Sequence, residues 1–488
     1  MQATSVTVAF EMQATNAAAP PAADRSDEMA HRWKVLCITS IGLFMASLDL
    51  FIVNIAFPDL SRSFDDASLG SLSWVLNGYA IVFAALLVPA GRIADRVGRK
   101  RVFVTGLLTF AAASALCAAS PTIPFLVAAR VLQAAGAAMM IPTTLGLLLP
   151  AFPAAQRPVA IGIWSAISGV AAALGPPIGG LLVQLSWHWI FLVNVPLGLL
   201  TALVAIRVLD EAKEPEDGRP DLLGALMLAL GIGVLTLGIV QGPEWGWGDP
   251  RVIGSFLAAA LLVAAFLRRS ANHRAPVIEL PLLRVRSFAL ANLATLVFFM
   301  GFGAMLLSGV LLLTEVWGWS ELRAGFALAP GPLTAAIFAA PSGRLGARIG
   351  QRPVATVGGL VFAGSFAFML AAVGPRPEYA TTFLPAFILG GAGVGMTLGT
   401  LPAAATASLP PGRFATGSAV FGMARQLGSA IGVAVLVALV DSAGGDLLHG
   451  IRGGWWFALG AGLGAAILAF SLPTRARSPA ADAAPAAA

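Results

Sequence analysis

Runs of roughly twenty apolar residues, the length that crosses a hydrocarbon core of about 30 Å as an α-helix, recur from residue 36 to residue 472. Inside a bilayer every backbone N–H and C=O needs an internal partner, so such segments must form helices or close into a barrel. A barrel reads as ten-residue segments of alternating polarity, and these runs do not alternate. Boundaries placed at charges and at Pro/Gly clusters predict fourteen spans, near 36–57, 72–91, 102–120, 123–149, 159–183, 189–207, 222–241, 252–267, 288–313, 324–341, 353–373, 381–406, 416–440 and 453–472. With 58% hydrophobic and 11% charged residues the chain is far from a soluble domain, where charges run near a quarter. The expected fold is an all-α membrane protein with 14 transmembrane helices, and its first partner is the lipid bilayer.

An even number of spans puts both termini on one side. Of the 30 Lys and Arg, 23 fall on that side and 5 on the other (Arg62, Arg251, Arg323, Arg376 and Arg452), with Arg130 and Arg425 left inside spans. By the positive-inside rule the termini are cytoplasmic and the expected location is the cell membrane. The basic pI near 10.1 is then a record of topology, and no nucleic-acid partner is expected. Residues 1–33, polar and rich in Ala and Pro, read as a disordered tail. Cys37 and Cys117 both lie in apolar runs and the four His are scattered, so neither a disulfide framework, a metal site nor a cofactor is expected.

Three pairs of segments repeat. Gly91-Arg-Ile-Ala-Asp-Arg-Val-Gly98 aligns with Gly343-Arg-Leu-Gly-Ala-Arg-Ile-Gly350, Leu174-Gly-Pro-Pro-Ile-Gly179 with Leu427-Gly-Ser-Ala-Ile-Gly432, and Ile141-Pro142 with Leu401-Pro402, at offsets of 252, 253 and 260. One six-helix unit therefore occurs twice in parallel, as residues 34–207 and 288–472, with 208–287 a charged linker carrying two extra helices and 473–488 a second tail. By the 260 offset Gly390 takes the place of Arg130, so only the first half carries that charge. Two parallel halves are the arrangement in which substrate is held at the midplane and access alternates by rocking.

Asp49 and Arg130 are the sharpest residues. Each lies on the order of 10–12 Å below the same end of its span, so the two can meet. Charges at that depth cost roughly 2.5–3.5 kcal/mol and usually pair or face water. One reading is a fixed salt bridge joining two helices. The other is a carboxylate that changes protonation, since burial and a neighbouring cation pull a carboxyl in opposite directions. Gln133 shares a face with Ala134 and Ala137. Asn54, Asn77, Tyr79 and Gln133 are read as polar groups of a substrate cavity, together with Arg425 and Gln426. Arg425 either holds a substrate carboxylate or hydroxyl or bonds free backbone carbonyls, and both stay open. Glu315 and Asp441, near span ends, read as solvated charges.

The segment Gly91 to Arg101 reads as a short loop whose glycines allow tight turns, whose Asp95 suits a helix N-terminus and whose Arg96 and Arg99 suit anionic headgroups. Its pattern resembles G-x-L-A-D-R-x-G-R-K, the signature loop of the major facilitator superfamily, and Gly91, Asp95, Arg96, Gly98 and Arg99 match it. Further stretches resemble the fourteen-helix drug:proton antiporter branch. Leu48-Asp-Leu-Phe-Ile-Val-Asn-Ile-Ala-Phe-Pro58 is similar to L-D-x-T-I-V-N-V-A-L-P, with Phe51 for Thr. Arg130-Val-Leu-Gln-Ala-Ala-Gly-Ala-Ala138 is similar to R-x-x-Q-G-x-G-A-A, with Ala134 for Gly. Gly175-Pro176-Pro177-Ile178-Gly179-Gly180 matches the G-P-x-x-G-G helix associated with exporters, and Trp187-His188-Trp189 follows it with His188 for Arg. The resemblance spans about residues 34 to 472. It implies that the matched Asp49 and Arg130 serve proton coupling, and that the loop around Asp95 stabilises one conformational state.

No G-x-x-x-x-G-K-[ST] phosphate loop and no nucleophile or metalloprotease motif occurs in the sequence, so neither an ATP motor nor an enzyme is expected. The function that fits is a proton-coupled secondary transporter exporting hydrophobic small molecules, drugs or antibiotics, as a monomer. The alternative in the same fold is a proton-coupled importer of a sugar, peptide or metabolite.

Overall fold

The computed structural model describes residues 22–64, 68–153, 156–213, 218–407, 409 and 414–473. Among them, fourteen helices are long and apolar enough to cross a membrane: α1 (Met29–Ile55), α2 (Leu69–Val97), α3 (Arg99–Ala118), α4 (Ile123–Ala151), α5 (Val159–Val183), α6 (Trp189–Val208), α7 (Leu222–Trp245), α8 (Pro250–Asn272), α9 (Arg286–Val316), α10 (Glu321–Ile349), α11 (Gln351–Ala372), α12 (Tyr379–Thr406), α13 (Thr416–Asp441) and α14 (Leu447–Phe470). No strand occurs among the described residues. Polar caps open six of these helices: Ser68, Thr122, Asp221, Asp249, Ser320 and Asp446 each accept a backbone N–H of the first turn.

Each of the fourteen expected spans is a helix, and the boundaries move where charge was taken for an end. The tail read as disordered to Trp33 is helical from Ala22, and only residues 1–21 of it lie outside the described residues. Likewise α2 and α10 run on to Val97 and Ile349. Arginine stems lie along the helix and carry their charges out to water, so a guanidinium does not end a helix at an interface.

The repeat is visible in the packing. Within the first half α1 packs on α4, α5 and α6, α2 on α4, and α3 on α4 and α6; within the second half α9 packs on α12, α13 and α14, α10 on α12, and α11 on α12 and α14. These are the same pairs shifted by eight helices. The halves meet along two seams, α2 with α13 and α5 with α10, which the repeat makes equivalent. The inserted α7 and α8 pack on each other, and α7 also covers α2 and α13.

Small residues set the spacing identically in both halves. A β-carbon on Gly136 of α4 would lie 2.7 Å from the backbone N of Phe110, and one on Gly393 of α12 would lie 2.7 Å from that of Phe362. Gly91 faces Pro142 at 3.4 Å just as Gly343 faces Gly399 at 3.0 Å. These matches put α4 and α12 in register at an offset of 257, which corrects the 260 taken from the prolines. Phe387, rather than Gly390, therefore stands where Arg130 does; the slip of three residues is nearly one helical turn and kept the same face.

Candidate functional site

Five of the first six helices converge on one buried ion pair. Asp49 sits six residues from the end of α1, and Arg130 seven residues from the start of the antiparallel α4, so the helix ends bring them to one depth. Arg130 Nη1 donates to Asp49 Oδ2 at 2.5 Å and to Gln133 Oε1 at 2.6 Å, while its Nε donates to the Val75 carbonyl of α2 at 3.1 Å. Gln133 Nε2 donates to Asp49 Oδ1 at 2.8 Å and to Ser114 Oγ of α3 at 2.9 Å. The Cys117 thiol lies 3.7 Å from Gln133 Oε1. The guanidinium carbon lies 4.1 Å above the Tyr79 ring and 5.8 Å from that of Phe191 on α6.

Asp49 is 0% and Arg130 1% exposed, so both charges are out of water and held by each other and by amide dipoles. Both carboxylate oxygens are engaged, one by a cation and one by an amide. Losing either partner would strand a charge in low dielectric.

The residues read together as a cavity separate into four places. Gln133 belongs to the ion-pair cluster, and Tyr79 covers it. Asn77 is 0% exposed, and neither its Oδ1 nor its Nδ2 has a hydrogen-bond partner among the described residues. Asn54 lies on the other side of α1, its Nδ2 bonded to the Leu50 carbonyl at 2.8 Å, and with Phe51 it lines a small apolar pocket between the halves against Pro176, Leu306 and Phe387. Arg425 and Gln426 lie on α13; Arg425 Cζ is 5.7 Å from the Phe299 ring. Glu315 and Asp441 are exposed.

The segment Gly175 to Gly180 of α5 lies at one seam between the halves. Gly179 takes Ile52 of α1 against its backbone, where a β-carbon would lie 3.0 Å from Ile52 Cγ1. On its other side a β-carbon on Gly180 would lie 2.7 Å from Leu322 Cα of α10, and one on Gly325 would lie 2.8 Å from the Pro176 carbonyl carbon. The helix continues through Pro176 and Pro177. Two adjacent prolines and three glycines thus let α5 lie against α1 and α10 at once.

The segment expected as a loop is two helices joined by Gly98 alone, which ends α2 and begins α3 with φ +130°. Gly350, 252 residues on, does the same between α10 and α11 with φ +98°. Such a φ is open to glycine and strained for other residues. Asp95 accepts from Arg99 Nε at 2.7 Å, and Arg99 Nη1 reaches the Gly146 carbonyl of α4 at 3.2 Å. Arg96 is exposed. Beyond the motif, the linker closes over this corner: Glu211 accepts from Lys100 N at 3.0 Å, and Ala212 O from Arg99 N at 2.9 Å. Ser114, Glu211 and Ala212 had no signal in the sequence beyond a small polar residue in an apolar run and a charged linker.

The family model described as Major Facilitator Superfamily matches residues 39–291 and 291–488. The chain is 36% identical over 410 residues, 82% of its own length and 74% of the other's, to the "Multidrug resistance protein Stp" of Mycobacterium tuberculosis (strain CDC 1551 / Oshkosh). It is 32% identical over 421 residues, 85% of this chain and 77% of the other, to the "Tetracenomycin C resistance and export protein" of Streptomyces glaucescens. A solved D-xylose-proton symporter superposes with a TM-score of 0.67 at 14% identity, covering 91% of this chain and 99% of that one, a likeness of fold alone.

Proposed function

The chain belongs to the Major Facilitator Superfamily, and we propose that within it this protein exports hydrophobic small molecules, drugs or antibiotics, in exchange for protons. The single observation that carries export is the naming of relatives that align over more than four fifths of the chain as resistance or export proteins. It favours export over the uptake of a sugar, peptide or metabolite.

The proposed orientation puts the basic face, where α1 starts, in the cytoplasm of a cell membrane, following the distribution of Lys and Arg. Substrate enters the space between the halves from the cytoplasm or the inner leaflet. The small apolar pocket of Phe51, Asn54 and Phe387 supports a hydrophobic substrate there.

Asp49 is the proposed proton carrier. It faces into the first half, away from that pocket, so it acts on transport through α1. Protonation removes the counter-charge of Arg130, and breaking a buried pair in this way costs about 3–5 kcal/mol. A proton entering down 100 mV and one pH unit supplies about 2.3 kcal/mol plus about 1.36 kcal/mol. The two magnitudes match closely enough for one proton to drive a switch. Relief comes if α1 and α4 shift so that Arg130 reaches water, and α1 carries that shift through Gly175 and Gly179 to α5 and the seam with α10.

Inverted membrane vesicles test the reading. With the lumen acidified, a fluorescent hydrophobic drug should accumulate against its gradient, and Asp49→Asn should abolish the accumulation while leaving drug binding in place. Uptake that runs in the opposite direction, or survives in Asp49→Asn, would overturn it.

A further inference from the structure

Among the described residues, Arg425 is a deep cation with no hydrogen-bonding or ion-pair partner. It lies nine residues beyond Thr416, about 14 Å into α13. No hydrogen bond or ion pair reaches its guanidinium among the described residues, including none to the free backbone carbonyls that were one of its two expected partners; its contact is the Phe299 ring, at 5.7 Å. Arg130, at a comparable depth, has five polar and aromatic partners. A guanidinium left bare at such depth requires water or an anion.

Its surroundings point to the space between the halves. Ser418, Gly422, Arg425 and Ser429 follow at i, i+4, i+7 and i+11, and each is at least partly exposed on a helix that is otherwise mostly buried. A β-carbon on Gly422 would meet Leu87 of α2 at 2.9 Å, which turns this stripe toward the α2 seam, while Gly428 lies against Phe299 of α9 at 3.1 Å. The stripe of serine, glycine and arginine thus lies between these two contacts, beside the seam of α13 with α2 where the halves meet. The neighbouring Gln426 is 5% exposed, and its Nε2 has no acceptor. The Phe299 ring beside Arg425 packs edge to face on Phe302, with centroids 5.2 Å apart. Asp49 and Asp221, the fully buried carboxylates among the described residues, are already paired with Arg130 and Arg269.

We propose that Arg425 and the Gln426 amide recognise the polar group of the substrate, and that the preferred substrates are aromatic organic anions, carboxylates or phenolates. The anionic oxygen takes charge-assisted hydrogen bonds from both side chains, and the ring lies against Phe299. An anion leaving a negative-inside compartment also moves down the membrane potential, so it suits export. The inference rests on the export reading only in placing these residues on the path of the substrate.

Purified full-length protein in lipid nanodiscs, with empty nanodiscs subtracted, tests it by calorimetric binding of 1-naphthoate, 1-naphthamide and 1-naphthylmethylammonium. Naphthoate should bind about tenfold tighter than the amide. Arg425→Gln should erase that margin with naphthamide affinity unchanged, and Arg425→Lys should keep part of it. Should Arg425→Gln fail to fold, Gln426→Leu should still weaken naphthoate selectively, by about threefold. Binding of the ammonium as tight as that of naphthoate, or equal weakening of all three ligands by either variant, would overturn the proposal. Binding needs no proton gradient, so an anion preference without export would sink the export reading alone.

Discussion

Arg92 of α2 holds Glu279, on the segment leading into α9, with Nη2 3.1 Å from Oε1 and the two side chains 13% and 14% exposed. On the opposite face Arg62, on the short helix after α1, pairs with Glu321 at the start of α10. The first pair ties the first half to the end of the linker that leads into the second, and the other ties the halves directly, at opposite ends of the bundle. A protein whose halves rock must break them in turn.

The two should differ in weight. The Arg92 pair is largely buried, where a charged hydrogen bond contributes about 1.5–3 kcal/mol. Arg62 is 56% exposed, and such surface pairs contribute about 0–1 kcal/mol. Glu279→Gln should therefore shift the protein strongly toward opening on the basic face, and slow labelling of an Asn54→Cys thiol by an impermeant reagent added from the other side. Glu321→Gln should hasten the same labelling slightly. Exchanging the charges, Arg92→Glu with Glu279→Arg, should restore the original rate.

Gly180→Ala should weaken closure at the opposite face without unfolding either half. The new β-carbon would meet the backbone of Glu321 and Leu322, which cannot swing aside as a flexible side chain would. Contact there can be relieved by separating α5 from α10. Labelling at Asn54→Cys should quicken and export should fall, while thermal stability in detergent changes by about 1–3 kcal/mol, the usual cost of overpacking. Loss of export with unchanged labelling would mean that the glycine acts elsewhere.

How much of this was legible follows from what each feature asks of the chain. The fourteen helices were, because a bilayer admits few alternatives to long apolar helices. The meeting of Asp49 and Arg130 was, because depth along a straight helix follows from residue count. Which side of α1 faced the cavity was not. Asp49, Gln133 and Tyr79 turn into the first half, whereas Phe51 and Asn54 turn toward the second, and all five lie in apolar runs without a polar face to tell the two directions apart. The loop around Gly98 misled for a related reason: charge and glycine mark chain turns in water, yet here one positive φ turns the chain and the arginines stay helical. The carboxylate of Glu211 that closes over it comes from 111 residues away from Lys100, a distance that no local pattern spans.

The pair of Asp49 and Arg130 can be separated into what it does for folding and what it does for transport. Arg130→Ala removes the cation and leaves a buried carboxylate held only by Gln133, so it should lower stability by about 3–5 kcal/mol. Asp49→Asn leaves the guanidinium its bonds to Gln133 and Val75 and should cost less than Arg130→Ala, though still strand a charge. Combining Asp49→Asn with Arg130→Gln removes both charges together. A fixed structural bridge would then be dispensable, since a buried pair replaced by neutral groups is often no worse. The double variant should regain most of the lost melting temperature and bind drug as the wild type does. It should not regain proton-driven accumulation in inverted vesicles, because nothing at the centre of the first half would change charge. A double variant that transports against a gradient would reduce the pair to a bridge between α1 and α4.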